Sequence, residues 1–241
     1  MAVYDSINEA YDLVYTDVHK KVPFVVDILG KYQAQDVLEL GCGSGLFTIP
    51  LKQQGLSIEG LEISPEMIKV TQKKEPELKL HQGDMRSYHL QKSFDAILIL
   101  SSTLVLLQNH EEINQCLQRS YEHLKPGGLF FLELPNHPVE IRKINGTQEV
   151  HSNEDHSIIV VIQSLKEEKY WREYWSIFRN GSEGFQKDDI VCDEFLYSPS
   201  LLVEALQQTG FEIRETYGDL LGNPFDENES WRRVLICQKT S

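Results

Sequence analysis

The 241 residues predict an α/β protein, a doubly wound and mostly parallel sheet of seven strands that carries an antiparallel β insert late in the chain. Three observations predict it. Short apolar runs alternate with stretches of helical spacing through the first 135 residues. One of those runs passes directly into glycines spaced G-x-G-x-G at positions 41, 43 and 45. After Pro135, strand-like runs follow one another with turn signals and no helix between them. Strands that alternate with helices need right-handed crossovers, which place helices on both faces of the sheet.

Taken in order, a Tyr-rich opening (Tyr4, Tyr11, Tyr15) leads to an expected helix from about Lys20 to Tyr32. Strands are expected at Val37–Leu40, Ser57–Glu62, Lys79–Gln82, Phe94–Leu100 and Leu129–Leu134. Ile113, Leu117, Tyr121 and Leu124 recur at helical spacing between the last two. Beyond Pro135, Ile158–Leu165, Lys169–Phe178 and Asp189–Tyr197 predict antiparallel strands, with Asn180-Gly181 as a turn signal. Ser198-Pro199 opens a helix to about Gln208, and Gly210 ends it. Phe211–Tyr217 and Trp231–Gln238 then return the chain to the main sheet. Residues 147–197 are expected to be an insert within a single domain of residues 1–241, because about 50 residues bury an independent core poorly.

Composition bounds the function. With 41% hydrophobic and 25% charged residues and nine prolines, the chain buries enough apolar surface to offset the entropy of folding. The net charge of −14 repels phosphate backbones, and no Lys/Arg cluster offsets it, so no nucleic-acid partner is expected. Asp5, Glu9, Asp12 and Asp17 are incompatible with the basic and apolar start of a secretory signal. The longest apolar region, Phe94 to Leu107, falls short of a bilayer span, so no membrane partner is expected. Cys42, Cys116, Cys192 and Cys237 are dispersed without a C-x-x-C pair, which argues against a disulfide framework or a thiolate zinc site and for a cytoplasmic location.

Function begins at Val37-Leu38-Glu39-Leu40-Gly41-Cys42-Gly43-Ser44-Gly45, a buried strand running into a glycine turn. Glycine is needed where the backbone turns tightly and a ligand must approach without a Cβ in the way. The carboxyl end of a parallel strand is also where open α/β sheets bind ligands. A phosphate loop of the Walker type would follow the last glycine with Lys and Ser or Thr, and here Leu46-Phe47 follow. A dinucleotide fingerprint needs a third glycine at position 46, which is Leu.

The G-x-G-x-G loop, the preceding Glu39 and the acidic Glu62 at the end of the second strand resemble motif I and the ribose-binding carboxylate of class I S-adenosylmethionine-dependent methyltransferases. Gly83-Asp84-Met85 is similar to that family's adenine-binding turn, Phe94–Leu98 to its fourth strand, and Leu124-Lys125-Pro126-Gly127-Gly128 to the turn before its fifth. The likeness covers roughly residues 37–134 and 210–238. It implies a Rossmann-like methyltransferase fold with S-adenosylmethionine as cofactor. Gly41, Gly43 and Gly45 would admit the methionine part, with Cys42 beside them more a packing residue than a chemical one. Glu39, whose carboxylate is costly to bury unpaired, would meet the cofactor ammonium directly or through water, Glu62 would hold the ribose, and Ile63, Asp84, Met85 and Leu100 would line the rest. The Tyr4 to Tyr15 stretch resembles the opening of sugar N- and glycine N-methyltransferases, so Tyr11 is expected over the cofactor and Tyr15 toward the acceptor; an amphipathic helix docked on the sheet is the alternative. The fourth strand ends in Ser101-Ser102-Thr103, not in an Asn-Pro-Pro-Tyr motif, which lowers DNA adenine and protein glutamine as substrates.

Eight of the 23 aromatic residues fall within residues 147–197, where eleven acidic side chains outnumber five basic ones. By strand alternation Trp171 and Trp175 face one way and Tyr170, Tyr174 and Phe178 the other. The insert is expected to be a lid in which Trp171 and Tyr174 contact a small-molecule acceptor, an amine suiting the acidic balance, or else an interface for a homodimer. Methyl transfer needs alignment of the acceptor and exclusion of water more than a nucleophile. His137 is the first candidate proton acceptor, with Glu133 or a lid tyrosine beside it. No carboxylate cluster follows the fourth strand, so no metal is expected. The rival classes are NAD-dependent oxidation and a cofactor-binding protein without turnover.

Overall fold

A computed structural model describes residues 8–181 and 184–240; Tyr4 and Asp5 of the Tyr-rich opening lie outside them. Seven strands form the main sheet: β1 (Asp36–Leu40), β2 (Ser57–Glu62), β3 (Lys79–Gln82), β4 (Phe94–Ile99), β5 (Leu124–Pro135), β10 (Phe211–Tyr217) and β11 (Arg232–Lys239). Their order is β3-β2-β1-β4-β5-β11-β10, with β11 antiparallel to both neighbours. The order reverses between β1 and β4, so the crevice at their carboxyl ends is the natural ligand site of an open α/β sheet.

Alternate residues of the central strands feed two cores. Leu38, Leu40, Ile97, Ile99, Phe130 and Leu132 meet α5 (His110–His123) and α7 (Pro199–Thr209) through Ile113, Leu117, Leu202 and Leu206. Val37, Ala96, Leu98 and Phe131 meet α2 (Val18–Lys31) and α3 (Thr48–Gln53) through Val22, Val25, Leu29 and Leu51. Burial on both faces is why these strands read as mostly apolar runs. Helix starts carry local signals: Ser64 caps α4 (Pro65–Lys74) by accepting from the Met67 amide, Asn109 caps α5 and Ser198 caps α7. Gly210 ends α7 at φ +101°, where a side chain would be strained.

The insert is a four-stranded antiparallel sheet in the order β6 (Gln148–Ser152), β7 (Ile158–Lys166), β8 (Tyr170–Gly181), β9 (Gly184–Phe195). Its inner face buries Trp171 and Trp175 to 2% exposure. Val160, Ile162 and Ile177 of that sheet form a third core with Ala10 of α1 (Asn8–Val14) and Met67 of α4. Three sequence expectations change. Helix α6 (His137–Ile144) and strand β6 had no clear sequence signal, because both are short and largely polar. Asn180-Gly181 is not a turn but the end of β8, with Gly181 paired to Gly184. Strand β5 starts at Leu124, taking in Lys125-Pro126-Gly127-Gly128. No helix among the described residues is long and apolar enough to cross a membrane.

Candidate functional site

The three glycines of the β1 turn do three different things, although all have positive φ. A Cβ on Gly41 would fall 2.2 Å from Thr103 Cγ2, so this glycine lets the β4 turn pass close. One on Gly45 would press on Ile49 and Thr71, so it serves packing against α3 and α4 and does not border the cleft. At Gly43, φ +52°, nothing lies within 4 Å of an added Cβ, and the glycine borders a cavity of about 510 Å³. Here the missing side chain leaves room for a ligand.

Glu62 stands across from it. Its Oε2 accepts the Gly43 amide at 2.9 Å and its Oε1 the Ser64 amide at 2.8 Å, which fixes a buried carboxylate at the cavity wall. Tyr11, Ile63, Asp84 and Met85 also line this cleft. Asp84 is held below the usual carboxylate range chiefly by Arg86, which grips it with Nε and Nη2 and also meets Glu112 at 2.8 Å. Arg86 and Glu112 had no sequence signal, since Glu112 arrives from the first turn of α5. Helix α1 lies over the glycine turn: Ser44 Oγ donates to Asp12 at 2.6 Å, and Lys74 pairs with the same carboxylate.

Besides Gly45, three more expected cofactor residues stand away from this cleft. Glu39 does not border this cleft; it is buried, accepts a hydrogen bond from Thr48 Oγ1 at 2.5 Å, and is pushed up to about 8, chiefly by burial. The Cys42 side chain packs on Gly60, and its buried thiol is pushed well up, which removes thiolate chemistry. Leu100 is 2% exposed in the apolar core, where only its carbonyl is used, accepting from Thr103. The strand-end positions looked alike in sequence, and only the turn geometry separates them.

A second cavity of about 270 Å³ adjoins the first, and Ser101 borders both. Ser101 and Ser102 are left-handed at φ +52° and +61°, an uncommon conformation for residues with a side chain. Glu133 holds the turn by accepting the Ser101 amide. Tyr15, Trp171 and Trp231 line the second chamber together with Glu133, Glu140, Glu173, Glu194 and Arg232. The pairing of Trp171 with Glu194 and of Glu173 with Cys192 puts these insert residues on one face. Tyr174 pairs with Val191, belongs to the opposite face with Arg172, and borders neither cavity, which corrects its expected role. Burial pushes the carboxyls of Glu140, Glu173 and Glu194 well up, against the lowering charge of Arg232. Arg232 donates to Glu140 Oε1 at 2.5 Å and lies 3.3 Å from Glu133 Oε1.

His137 is not in the chamber. As the first residue of α6 it is 4% exposed, borders neither cavity, and stands behind Glu140 and Glu194. Its Nε2 lies 3.5 Å from Glu194 Oε2, and burial drives its pKa down to about 4. A base reaching the acceptor directly is therefore to be sought among the glutamates. The expectation of no metal rested on the fourth strand alone, and the fold assembles the ligand types elsewhere: His137, Glu140 and Glu194 bring their donor atoms within 4.8 Å of one another.

Residues 37–128 match the family model described as "Methyltransferase domain". The chain is 29% identical over 133 residues to dTDP-3-amino-3,6-dideoxy-alpha-D-glucopyranose N,N-dimethyltransferase of Streptomyces fradiae, covering 53% of this chain and 52% of that one. It is 30% identical over 131 residues to dTDP-3-amino-3,4,6-trideoxy-alpha-D-glucopyranose N,N-dimethyltransferase of Streptomyces venezuelae, covering 52% and 55%. The match thus spans about half the length of these relatives. Among solved structures, an S-adenosylmethionine-dependent methyltransferase from Clostridium acetobutylicum superposes with TM-score 0.85 at 16% identity over 99% of both chains. An amino pentose methyltransferase from Micromonospora echinaspora, solved with S-adenosylmethionine bound, gives 0.77 at 23% identity over 96% and 97%. At these identities the likeness is one of fold.

Proposed function

We propose that this chain, a member of the class I S-adenosylmethionine-dependent methyltransferase family, methylates the amino group of a small molecule, an amino sugar being the acceptor for which the two Streptomyces relatives are named. The observation that carries the proposal is the meeting of two cavities at Ser101, one bordered by an open glycine and a clamped carboxylate, the other acidic and aromatic. The residues fit the cofactor. Gly43 leaves space without a Cβ, Glu62 offers a carboxylate to vicinal hydroxyls, and Met85, Ile63 and Leu61 supply apolar walls. When bound, S-adenosylmethionine supplies a methyl group already activated on a sulfonium.

The chain's own part is to orient and dry the acceptor. Tyr11 and Tyr15, with ring centroids 4.7 Å apart, stand one at each cavity and exclude water between them. Trp171 and Trp231 give flat apolar contact to a ring-shaped acceptor. Five carboxyls, of Glu133, Glu140, Glu149, Glu173 and Glu194, against the cations of Lys21 and Arg232 give the chamber an acidic balance, which suits an ammonium group. An amine must lose a proton to expose its lone pair, and Glu173, held by the Trp175 indole at 2.9 Å on the chamber face, accepts it. The relatives give no support to dinucleotide-dependent oxidation. All four cysteines are buried free thiols, which supports a reducing compartment, the cytoplasm.

Calorimetric titration with S-adenosylmethionine and its demethylated product tests the cofactor. Saturable binding is expected for the native chain and at least about a hundredfold weaker binding for Gly43→Val, whose β-branched side chain meets both the cavity and a positive φ. Absent binding, or binding indifferent to Gly43→Val, overturns the reading. Labelled methyl transfer to nucleotide-linked amino sugars tests the acceptor. Cofactor binding without label in any amine of a metabolite pool would reduce the chain to a cofactor-binding protein without turnover.

A further inference from the structure

Three buried polar atoms around the acceptor chamber lack a hydrogen-bond partner: both ring nitrogens of His137 and Oε2 of Glu140. Buried polar groups of this kind carry a desolvation cost that ordinarily is met by a partner. One ring nitrogen of His137 and a carboxylate oxygen from each of Glu140 and Glu194 lie close together. His137 and Glu140 lie three residues apart on α6 and so share a helix face. Glu194 reaches them from β9, with Oε2 3.5 Å from His137 Nε2. His137 and Glu140 are 4% and 5% exposed.

We propose that His137, Glu140 and Glu194 bind one divalent transition-metal cation, set into the wall of the acceptor chamber. Their donor atoms lie within 4.8 Å of one another, so a common centre lies within roughly 3 Å of all three. Side-chain shifts of less than about 1 Å bring them to the 2.0–2.2 Å typical of such ions. One imidazole nitrogen with two carboxylate oxygens favours manganese, iron, cobalt or zinc over calcium or magnesium, which prefer oxygen alone. Arg232 occupies the other oxygen of Glu140 and orients the carboxylate from behind, as outer partners of metal ligands do. Glu133 and Glu173 stand nearby in the same chamber, so the charge of a cation is balanced even with Arg232 present. Because Glu140 and Glu194 border the chamber, the open coordination positions of the ion face the acceptor. Its hydroxyl oxygens are suitable ligands there, and the ion fixes their position while Glu173 remains for the amine.

Chelator-treated native chain, titrated with manganese or zinc alone, tests the site without cofactor or acceptor, so the outcome is independent of methyl transfer. One ion per chain is expected, with a rise in melting temperature. Pulsed electron paramagnetic resonance of the manganese-loaded native chain is expected to show coupling to one imidazole nitrogen. Affinity is expected to fall at least tenfold in Glu194→Gln and His137→Gln and to hold within twofold in His156→Ala, an exposed histidine. The absence of saturable one-to-one binding, of the nitrogen coupling in the native chain, or of any loss in Glu194→Gln overturns the proposal; the spectroscopic arm stands even where His137→Gln does not fold.

Discussion

The residue that departs furthest from its expected role is Glu39. Its position before the glycines suggested a partner for a cationic ligand, yet in the fold it is buried with Thr48 and raised to about 8. A carboxyl raised in the folded state binds more protons than in the unfolded chain between about 4.5 and 8, so it lowers stability as pH rises through that window. Glu39→Gln removes the penalty while keeping an acceptor for Thr48. Thermal unfolding of the cofactor-free chain at pH 5 to 8 should show the variant gaining on the native protein with rising pH, by the order of 1 to 3 kcal/mol at pH 8. A constant difference across the range contradicts the burial argument. Gly43, Glu62 and Asp84 were legible in sequence because turn and strand-end chemistry is local. Cys42, Gly45 and Leu100 were not separable from them, because whether a strand-end side chain meets a cleft or a core depends on the neighbouring strand.

Among elements, α1 decides whether the cleft is covered. It is seven residues long, too short to be stable alone, and is tied down by Asp12 to Ser44 and Lys74 and by Ala10 in the third core. Asp12→Ala should weaken cofactor binding by about threefold to tenfold, mainly through faster dissociation, with a small change in melting temperature, since the Lys74 pair is about a third exposed and screened. Stopped-flow release of the cofactor measures this; an unchanged rate means α1 is a strut and not a cover. Strand alternation was readable for Trp171 and Trp175, and it also assigned Tyr174 to the opposite face, yet Tyr174 was expected at the acceptor. The same parity puts Glu173 beside the tryptophans. Glu194 needed the β8–β9 register, which a sequence does not specify when its turn signal, Asn180-Gly181, belongs to a strand.

For the whole molecule, part of the −14 charge is turned inward, as Glu133, Glu140, Glu173 and Glu194 around Arg232. The insert covers its inner face with α1, α4 and α6 rather than with a layer of its own, so we expect it not to fold separately. Calorimetry of the full chain should give one cooperative transition, and a peptide of residues 147–197 should lack sheet signal by circular dichroism; two resolved transitions defeat the single-domain reading. By itself the sequence determined the alternation of strands and helices, the glycine turn and the carboxylate that answers it, because each rests on periodicity or on backbone freedom within a few residues. Only the tertiary structure decided which cavity each acidic side chain meets, and that His137 and Glu140 stand with Glu194. Those residues are brought together by strand register and layer packing, and contacts across more than 50 residues leave no local pattern to read.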